Sequence, residues 1–213
     1  MTAIILRAAR ARIIWPTALK DTQIGPQMLK NAAKPRKANI MKFDSTIVQT
    51  PFLSPLGPMT LAATQAGLAG VWFDGQRHLP AELDGPTRWP ADANHPTLKK
   101  ASFQLTEYFA GKRQAFDVPL DLSGGTAFQQ AVWRALLAIA PSQTTSYGRI
   151  SKMIANPSAV RAVGAAVGRN PISIIVPCHR VLGADGSLTG YAGGLDRKTA
   201  LLKLEGALEE KLL

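Results

Sequence analysis

One cysteine, Cys178, occurs in the 213-residue chain, and a histidine follows it directly in the stretch PISIIVPCHRV (171–181). A thiol is a strong nucleophile only as the thiolate, and its ordinary pKa is about 8.5. A neighbouring imidazole can take the proton. Cys178 and His179 therefore have the residue types of a nucleophile and its base. They also fit a plain core position, because free cysteine commonly serves as a small buried hydrophobe. The preceding run ISIIV is continuously apolar and β-branched, which predicts a buried strand over 172–176. Pro177 ends its pairing capacity. In an extended chain successive side chains point to opposite faces. The pair can cooperate only if the backbone turns at this point or a water bridges the two groups. No metal is expected, because the other histidines are His78 and His95 and there is no second cysteine for a zinc cluster.

A second chemical clue is Glu205 in KTALLKLEGA, where Gly206 reads as the cap of a helix. A carboxylate in a last helical turn opposes the helix dipole, at a cost of about 0.3–1 kcal/mol. A partner such as His179 would offset that cost, in the arrangement of a base and the group that orients it. An exposed glutamate at a frayed end is the plainer alternative.

The elements that must carry these residues follow from periodicity. GPMTLAATQAGLAGVWFD (57–74) reads as a β-hairpin around a Gly-containing turn. HPTLKKASFQLTEYFAG (95–111) reads as a helix, with Leu98, Ala101, Leu105 and Phe109 on one face and Gly111 as its stop. FDVPLDLSGG (116–125) reads as a short strand and a linker, and Gly124-Gly125 marks a domain boundary. TAFQQAVWRALLAIAP (126–141) opens with the capping-box pair Thr126 and Gln129 and lines up Phe128, Val132, Leu136 and Ile139. SYGRISKMIA is a short helix and NPS a turn, with Pro157 suited to a first helical position. AVRAVGAAVGR is a second helix. Helix, tight turn and helix make a helix-turn-helix or an ordinary helical hairpin.

Composition narrows the function classes. At 46% hydrophobic and 18% charged residues the chain can bury a real core. A single cysteine rules out an internal disulfide framework and points to a reducing, cytoplasmic setting. No apolar run approaches the length of a membrane span. The net charge is +11, of which residues 1–40 hold +7, with eight Lys and Arg against one acidic residue. That segment shows no sustained periodicity and reads as a basic flexible extension. It is Arg-rich and acid-poor like a transit peptide, but has no serine. Basic balance favours nucleic acid as a partner, though the body beyond residue 40 carries only +4.

VPCHRV, with GYAGG downstream and SYGRI and RNP upstream, resembles the DNA repair alkyltransferases, the methylated-DNA–protein-cysteine methyltransferases, in their bacterial stand-alone form. The match runs from about residue 41 to 206 and is strongest from 124 onward. The resemblance implies an α/β N-terminal domain of ribonuclease-H-like layout over 41–123. It also implies a mostly α C-terminal domain over 124–213, with a winged-helix-like helix-turn-helix. Cys178 would take a methyl or larger alkyl group from oxygen-6 of guanine, or less readily from oxygen-4 of thymine, in a single-use reaction without cofactor. His179 would deprotonate it through a water and Glu205 would orient His179. Asn170 would brace the cysteine turn. Tyr147 would contact the target phosphate and help rotate the base out. Arg161 would fill the vacated stack. Tyr191 and the backbone of Ala192 would contact the flipped base, and the carbonyls of Cys178 and Val181 would accept from its amino group. The partner would be double-stranded DNA, held by the minor groove without sequence preference, with no membrane and with the protein as a monomer.

The residues of AVRAVGAAVGR agree with that reading on physical grounds. A major-groove reader carries Arg, Asn or Gln toward base edges, and this helix has almost none; small residues suit the narrower minor groove, about 6 Å wide. Arg161 alone could be a wedge or a phosphate contact. Some relatives carry an N-terminal zinc site, and this chain has no cysteine there; it also lacks a cysteine-rich sensor domain. Position 173 is serine where some relatives have proline. Two competing functions remain: a lesion sensor without catalysis, which would replace the cysteine, and a Cys–His hydrolase, which would not need the helix-turn-helix.

Residues 1–40 carry charge but no motif. A chain starting at Met41 should repair at a similar rate at moderate salt and bind DNA more weakly at low salt, where counterion release contributes most. Loss of repair at every salt concentration would contradict this.

Overall fold

Two tight turns fold three strands into an antiparallel meander: β1 (Val48–Ser54), β2 (Gly57–Thr64) and β3 (Gly67–Phe73). The computed structural model describes residues 41–83 and 86–208, so the extension expected over 1–40 lies outside the described residues. The hairpin expected over 57–74 is β2 and β3, paired from Met59 opposite Phe73 to Thr64 opposite Gly67 with a one-residue register shift between Ala62 and Ala63. β1 carries Pro51 in its middle, which only an edge strand tolerates; it ladders with β2, and on its outer side only Gln49 is bridged, to Ala91. The other edge, β3, is covered by two short segments. Leu68 bridges Leu120, the one ladder position that the expected strand over 116–125 achieves. Val71 bridges Ile172 of the cysteine segment. Gly67 makes the first approach possible: it has φ +151°, and a Cβ there would lie 2.6 Å from the Pro119 carbonyl oxygen.

α1 (Pro96–Phe109) starts on a proline at a position where its missing N–H costs nothing. Its buried seam is Leu98, Ala101, Leu105 and Tyr108, so the phase ends on Tyr108, and Phe109 is only partly buried. α2 (Ala127–Leu137) has the expected capping box, with Thr126 Oγ1 accepting from Gln129 N and the Gln129 side chain accepting from Thr126 N. α3 (Tyr147–Met153) is capped by Ser146, and α4 (Val160–Gly168) follows after a turn. Pro157 does not start α4. The Ala159 N–H closes a turn on the Asn156 carbonyl at 3.1 Å, and the helix begins three residues after the proline. Trp133 of α2 donates its indole N–H to the Ala166 carbonyl of α4 at 2.9 Å and so locks the helix-turn-helix to the helix behind it. A two-residue parallel pair, β4 (Thr145–Ser146) with β5 (Val181–Leu182), and α5 (Leu195–Leu204) complete the domain.

One apolar core runs through both halves. Leu61, Val71 and Phe73 of the sheet, Leu98 and Leu105 of α1, and Val132, Ile150 and Val163 of the helical part belong to the same cluster. Phe43, Trp72 and Trp89 form a smaller aromatic cluster with Ile47, Ala62 and Ala69. No helix among the described residues is long and apolar enough to cross a membrane.

The strand expected over 172–176 is absent. Every residue there is buried, but only Ile172 pairs, and the chain then coils through turns to Pro177. Ile174 has φ +71°, which a β-branched residue adopts only where its surroundings force it. A short apolar run signals burial, not extension, and the force here comes from Asn170, outside the run.

Candidate active site

Asn170 directs the turn with both ends of its amide. Its Oδ1 accepts from Ile172 N at 3.0 Å, and its Nδ2 donates to the Val176 carbonyl at 2.8 Å. The same Nδ2 lies 3.1 Å from Cys178 Sγ and 3.3 Å from the Ile172 carbonyl. The β3 edge holds the segment from the other side, with Val71 N donating to Pro171 O and Ser173 N donating to Val71 O, each at 2.9 Å. The segment that carries the thiol is therefore held from both sides, and Asn170 bonds the sulfur itself. Cys178 begins a single 3-10 turn, Cys178–Arg180, so the backbone turns where cooperation with His179 requires it.

The two side chains do not bond each other. His179 is wholly buried, and its Nε2 lies 3.0 Å from Glu205 Oε1. An ionised carboxylate only accepts, so the proton of the neutral ring sits on Nε2. Nδ1 then carries the free lone pair, and it has no hydrogen-bond partner among the described residues. Burial lowers the histidine's pKa, against the pull of Glu205, and keeps the ring neutral and ready to accept a proton.

Glu205 is not at a frayed end. It is 6% exposed and terminates α5. Arg180 grips it bidentately, Nε to Oε2 at 2.7 Å and Nη2 to Oε1 at 2.8 Å, and Tyr108 donates its hydroxyl to Oε1 at 2.8 Å. The hydrogen bonds from His179 and Arg180 outweigh burial and hold the carboxyl down at about 2, from an ordinary 4.5. Arg180 and Tyr108 were not singled out by the sequence reading. One spacing could have found Tyr108: Leu98, Ala101, Leu105 and Tyr108 recur at i, i+3, i+7 and i+10, one buried face of α1. Lys198, Leu201, Leu202 and Glu205, at i, i+3, i+4 and i+7, likewise share a buried face at the end of α5.

A cavity of about 210 Å³ opens beside Tyr147, Gly164, Gly190, Tyr191 and Ala192, with Arg77 and His78 on the far wall. Drug-sized ligands need about 300–1,000 Å³, so this cavity suits one flat ring system. Tyr147 and Tyr191 both lie within electrostatic reach of Cys178. The Tyr147 hydroxyl is 3.5 Å from the carbonyls of Thr189 and Gly190, and burial keeps it protonated. Tyr191 is 3% exposed, and burial pushes its hydroxyl's pKa well up. Gly193 leaves room for it, since a Cβ there would lie 2.8 Å from the Tyr191 ring. Val181 is buried and Ala192 half-buried. Arg161 stands apart from this cluster, exposed near the start of α4 with Val160, Ala162 and Ala165.

Two family models match the chain in succession. The ribonuclease-like domain of 6-O-methylguanine DNA methyltransferase matches residues 47–122, and the DNA-binding domain of the same proteins matches residues 127–207. The chain belongs to the 6-O-methylguanine DNA methyltransferase family. It is 51% identical over 157 residues to a methylated-DNA–protein-cysteine methyltransferase of Methanosarcina acetivorans, covering 73% of this chain and 96% of that protein. The Mycobacterium tuberculosis methyltransferase of the same name is 51% identical over 152 residues, covering 71% of this chain and 88% of the relative. A crystal structure of Mycobacterium tuberculosis OGT in complex with DNA superposes with a TM-score of 0.65 and 48% identity, over 76% of this chain and 92% of that one.

The charge on Glu205 makes a pH prediction. Its lowered pKa contributes stability that is complete above 4.5 and is lost as pH falls toward 2. Glu205→Gln leaves Arg180 buried without its counter-charge, so it should cost about 3–5 kcal/mol at neutral pH. It should also flatten the fall in melting temperature between pH 4.5 and 2. Calorimetry across that range checks both; an unchanged slope would remove Glu205 from its assigned role.

Proposed function

We propose that this protein repairs alkylated duplex DNA by moving the alkyl group from oxygen-6 of guanine, or oxygen-4 of thymine, onto Cys178, once per molecule. The observation that carries the reading is the buried thiol held by Asn170 beside a neutral imidazole whose Nδ1 is free and whose Nε2–H faces an anchored carboxylate. Membership of the family and the DNA-binding domain it includes support DNA as the partner.

The chemistry follows from that arrangement. His179 Nδ1 takes the Sγ proton through a water, and Glu205 stabilises the imidazolium that forms. The thiolate attacks the alkyl carbon; a C–S bond forms, the C–O bond breaks, and its electron pair stays on the base. Tyr147, kept protonated, supplies a proton to the departing base. A base in a duplex hides its oxygen-6, so it must first leave the stack, at a few kcal/mol. Tyr191 and the backbone of Ala192 receive it in the cavity, and the carbonyls of Cys178 and Val181 accept from its amino group. α4 lies in the minor groove on its small-residue face, which approaches the backbone closely without reading sequence. Arg161 enters the gap the base leaves. The protein works as a monomer in the cytoplasm, where its lone thiol stays reduced.

The product is a thioether, and no group in the site can hydrolyse a carbon–sulfur bond of that kind. Incubation with methylated duplex should give a burst equal to the amount of protein and no later turnover. Intact mass should rise by one methyl group on the peptide containing Cys178, and Cys178→Ala should show neither effect. Turnover beyond one equivalent would favour a hydrolase, and binding without mass gain would favour a lesion sensor.

A further inference from the structure

Arg77 and His78 follow β3 and stand on the far wall of the cavity, and no step of the alkyl transfer uses them. The loop that presents them is firmly anchored. Buried Gln76 pins it, with Phe73 N donating to Gln76 Oε1 at 2.9 Å and Gln76 N donating to Phe73 O at 3.2 Å. Arg77 N then donates at 3.0 Å to the carbonyl of Ala192, across the cavity wall. His78 adopts φ +63°, a backbone uncommon for a residue with a Cβ. These constraints bring a guanidinium and an imidazole of the N-terminal domain to the mouth of a cavity in the DNA-binding half.

A third basic group joins them. Arg169 ends α4, lies within electrostatic reach of His78, and donates from Nη1 to the carbonyl of the cavity residue Ala165 at 3.2 Å. The charges that act on His78 are those of Arg169 and Arg77, both positive. Among the described residues neither arginine has a carboxylate partner. The dipole of α4 favours a cation at the position of Arg169. It gives no reason for two further basic groups within reach. A cleft lined by one sign of charge concentrates counter-ions of the other. A base held in this cavity is one sugar away from a phosphodiester on either side, so an extruded nucleotide carries anions to this mouth. Gly168 leaves room for them on the α4 side, since a Cβ there would meet nothing within 4 Å.

We infer that Arg77, His78 and Arg169 form a phosphate clamp at the mouth of the cavity, which grips the DNA backbone beside the extruded nucleotide and gives the N-terminal domain direct contact with the substrate. This rests on the lesion base entering that cavity, as proposed above. The two guanidiniums stay charged at neutral pH, and each can offer parallel N–H groups to phosphate oxygens. His78 adds one more N–H donor, which the neutral ring also has.

The test measures affinity for a methylated duplex against salt, in the full chain carrying Cys178→Ala so that the duplex is not consumed. Arg77→Gln and Arg169→Gln remove one charge each, Arg77→Lys and Arg169→Lys keep it, and Arg113→Gln, beside Glu107, is the control for charge alone. Each duplex is made with all its phosphates, or with a neutral methylphosphonate at one of the two positions flanking the methylated guanine. Each of the Arg77→Gln and Arg169→Gln chains should lower the salt slope by about one and bind about tenfold more weakly at about 0.1 M salt. The lysine variants should keep the slope. A methylphosphonate at the clamped position should weaken the parent by a similar factor and those two glutamine variants no further. Losses that add at both positions, or Arg77→Gln and Arg169→Gln slopes equal to that of Arg113→Gln, would overturn the inference. If a variant fails to fold, the Nε–H resonances of Arg77 and Arg169 in the parent decide. They should shift on binding the all-phosphate duplex and not the substituted one, and equal shifts with both would overturn the inference. Wild type that binds the duplex without gaining an alkyl group would instead refute the proposed function, while the salt slopes would still decide the clamp.

Discussion

Glu205 is a negative charge held out of water at the end of a helix whose dipole disfavours it, and the site is arranged around the groups that make this tolerable. Arg180 neutralises it through two parallel bonds, and Tyr108 reaches it from α1. With those bonds made, one acceptor position remains in use for His179. That contact fixes the imidazole proton on Nε2 and leaves the Nδ1 lone pair free. The carboxylate does not touch the thiol; it sets the tautomer of the imidazole next to it.

Tyr108 links the N-terminal half to the site through Glu205. The β3 edge links it a second time, because Val71 holds the backbone on both sides of Ile172. The sheet is therefore more than a support for the DNA-binding half. It fixes one side of the cysteine turn, Asn170 fixes the other, and the strained Ile174 sits between them. Added volume on Sγ has little room to relax there, since overpacking a filled site typically costs about 1–3 kcal/mol. The packing that holds and buries the thiol, pushing its pKa up to about 11, leaves little space for a larger group on Sγ.

Much of this was legible in the sequence, and the reasons are local. The capping box at Thr126, the hairpin over β2 and β3 and the seam of α1 are encoded within a few residues of where they act. Cys178 and His179 stood out because the types are rare and adjacent. The segment 172–176 reads as a strand because a buried apolar run looks the same in either conformation; the deciding group is a side chain, Asn170, that periodicity does not weigh. Glu205 was ambiguous because its partners lie 25 and 97 residues away. Arg180 and Lys198 were missed because charge suggests exposure. Their burial follows from tertiary compensation, by a carboxylate in one case and by the carbonyls of Val181 and Thr189 in the other.

The central claim is that Glu205 holds His179 neutral with its proton on Nε2. The 15N chemical shifts of the His179 ring, followed from pH 5 to 8 in the full chain, test it most directly. Nε2 should show a protonated, pyrrole-like nitrogen and Nδ1 an unprotonated, pyridine-like one, with no titration across the range. A proton on Nδ1, or an imidazolium at neutral pH, would contradict the account.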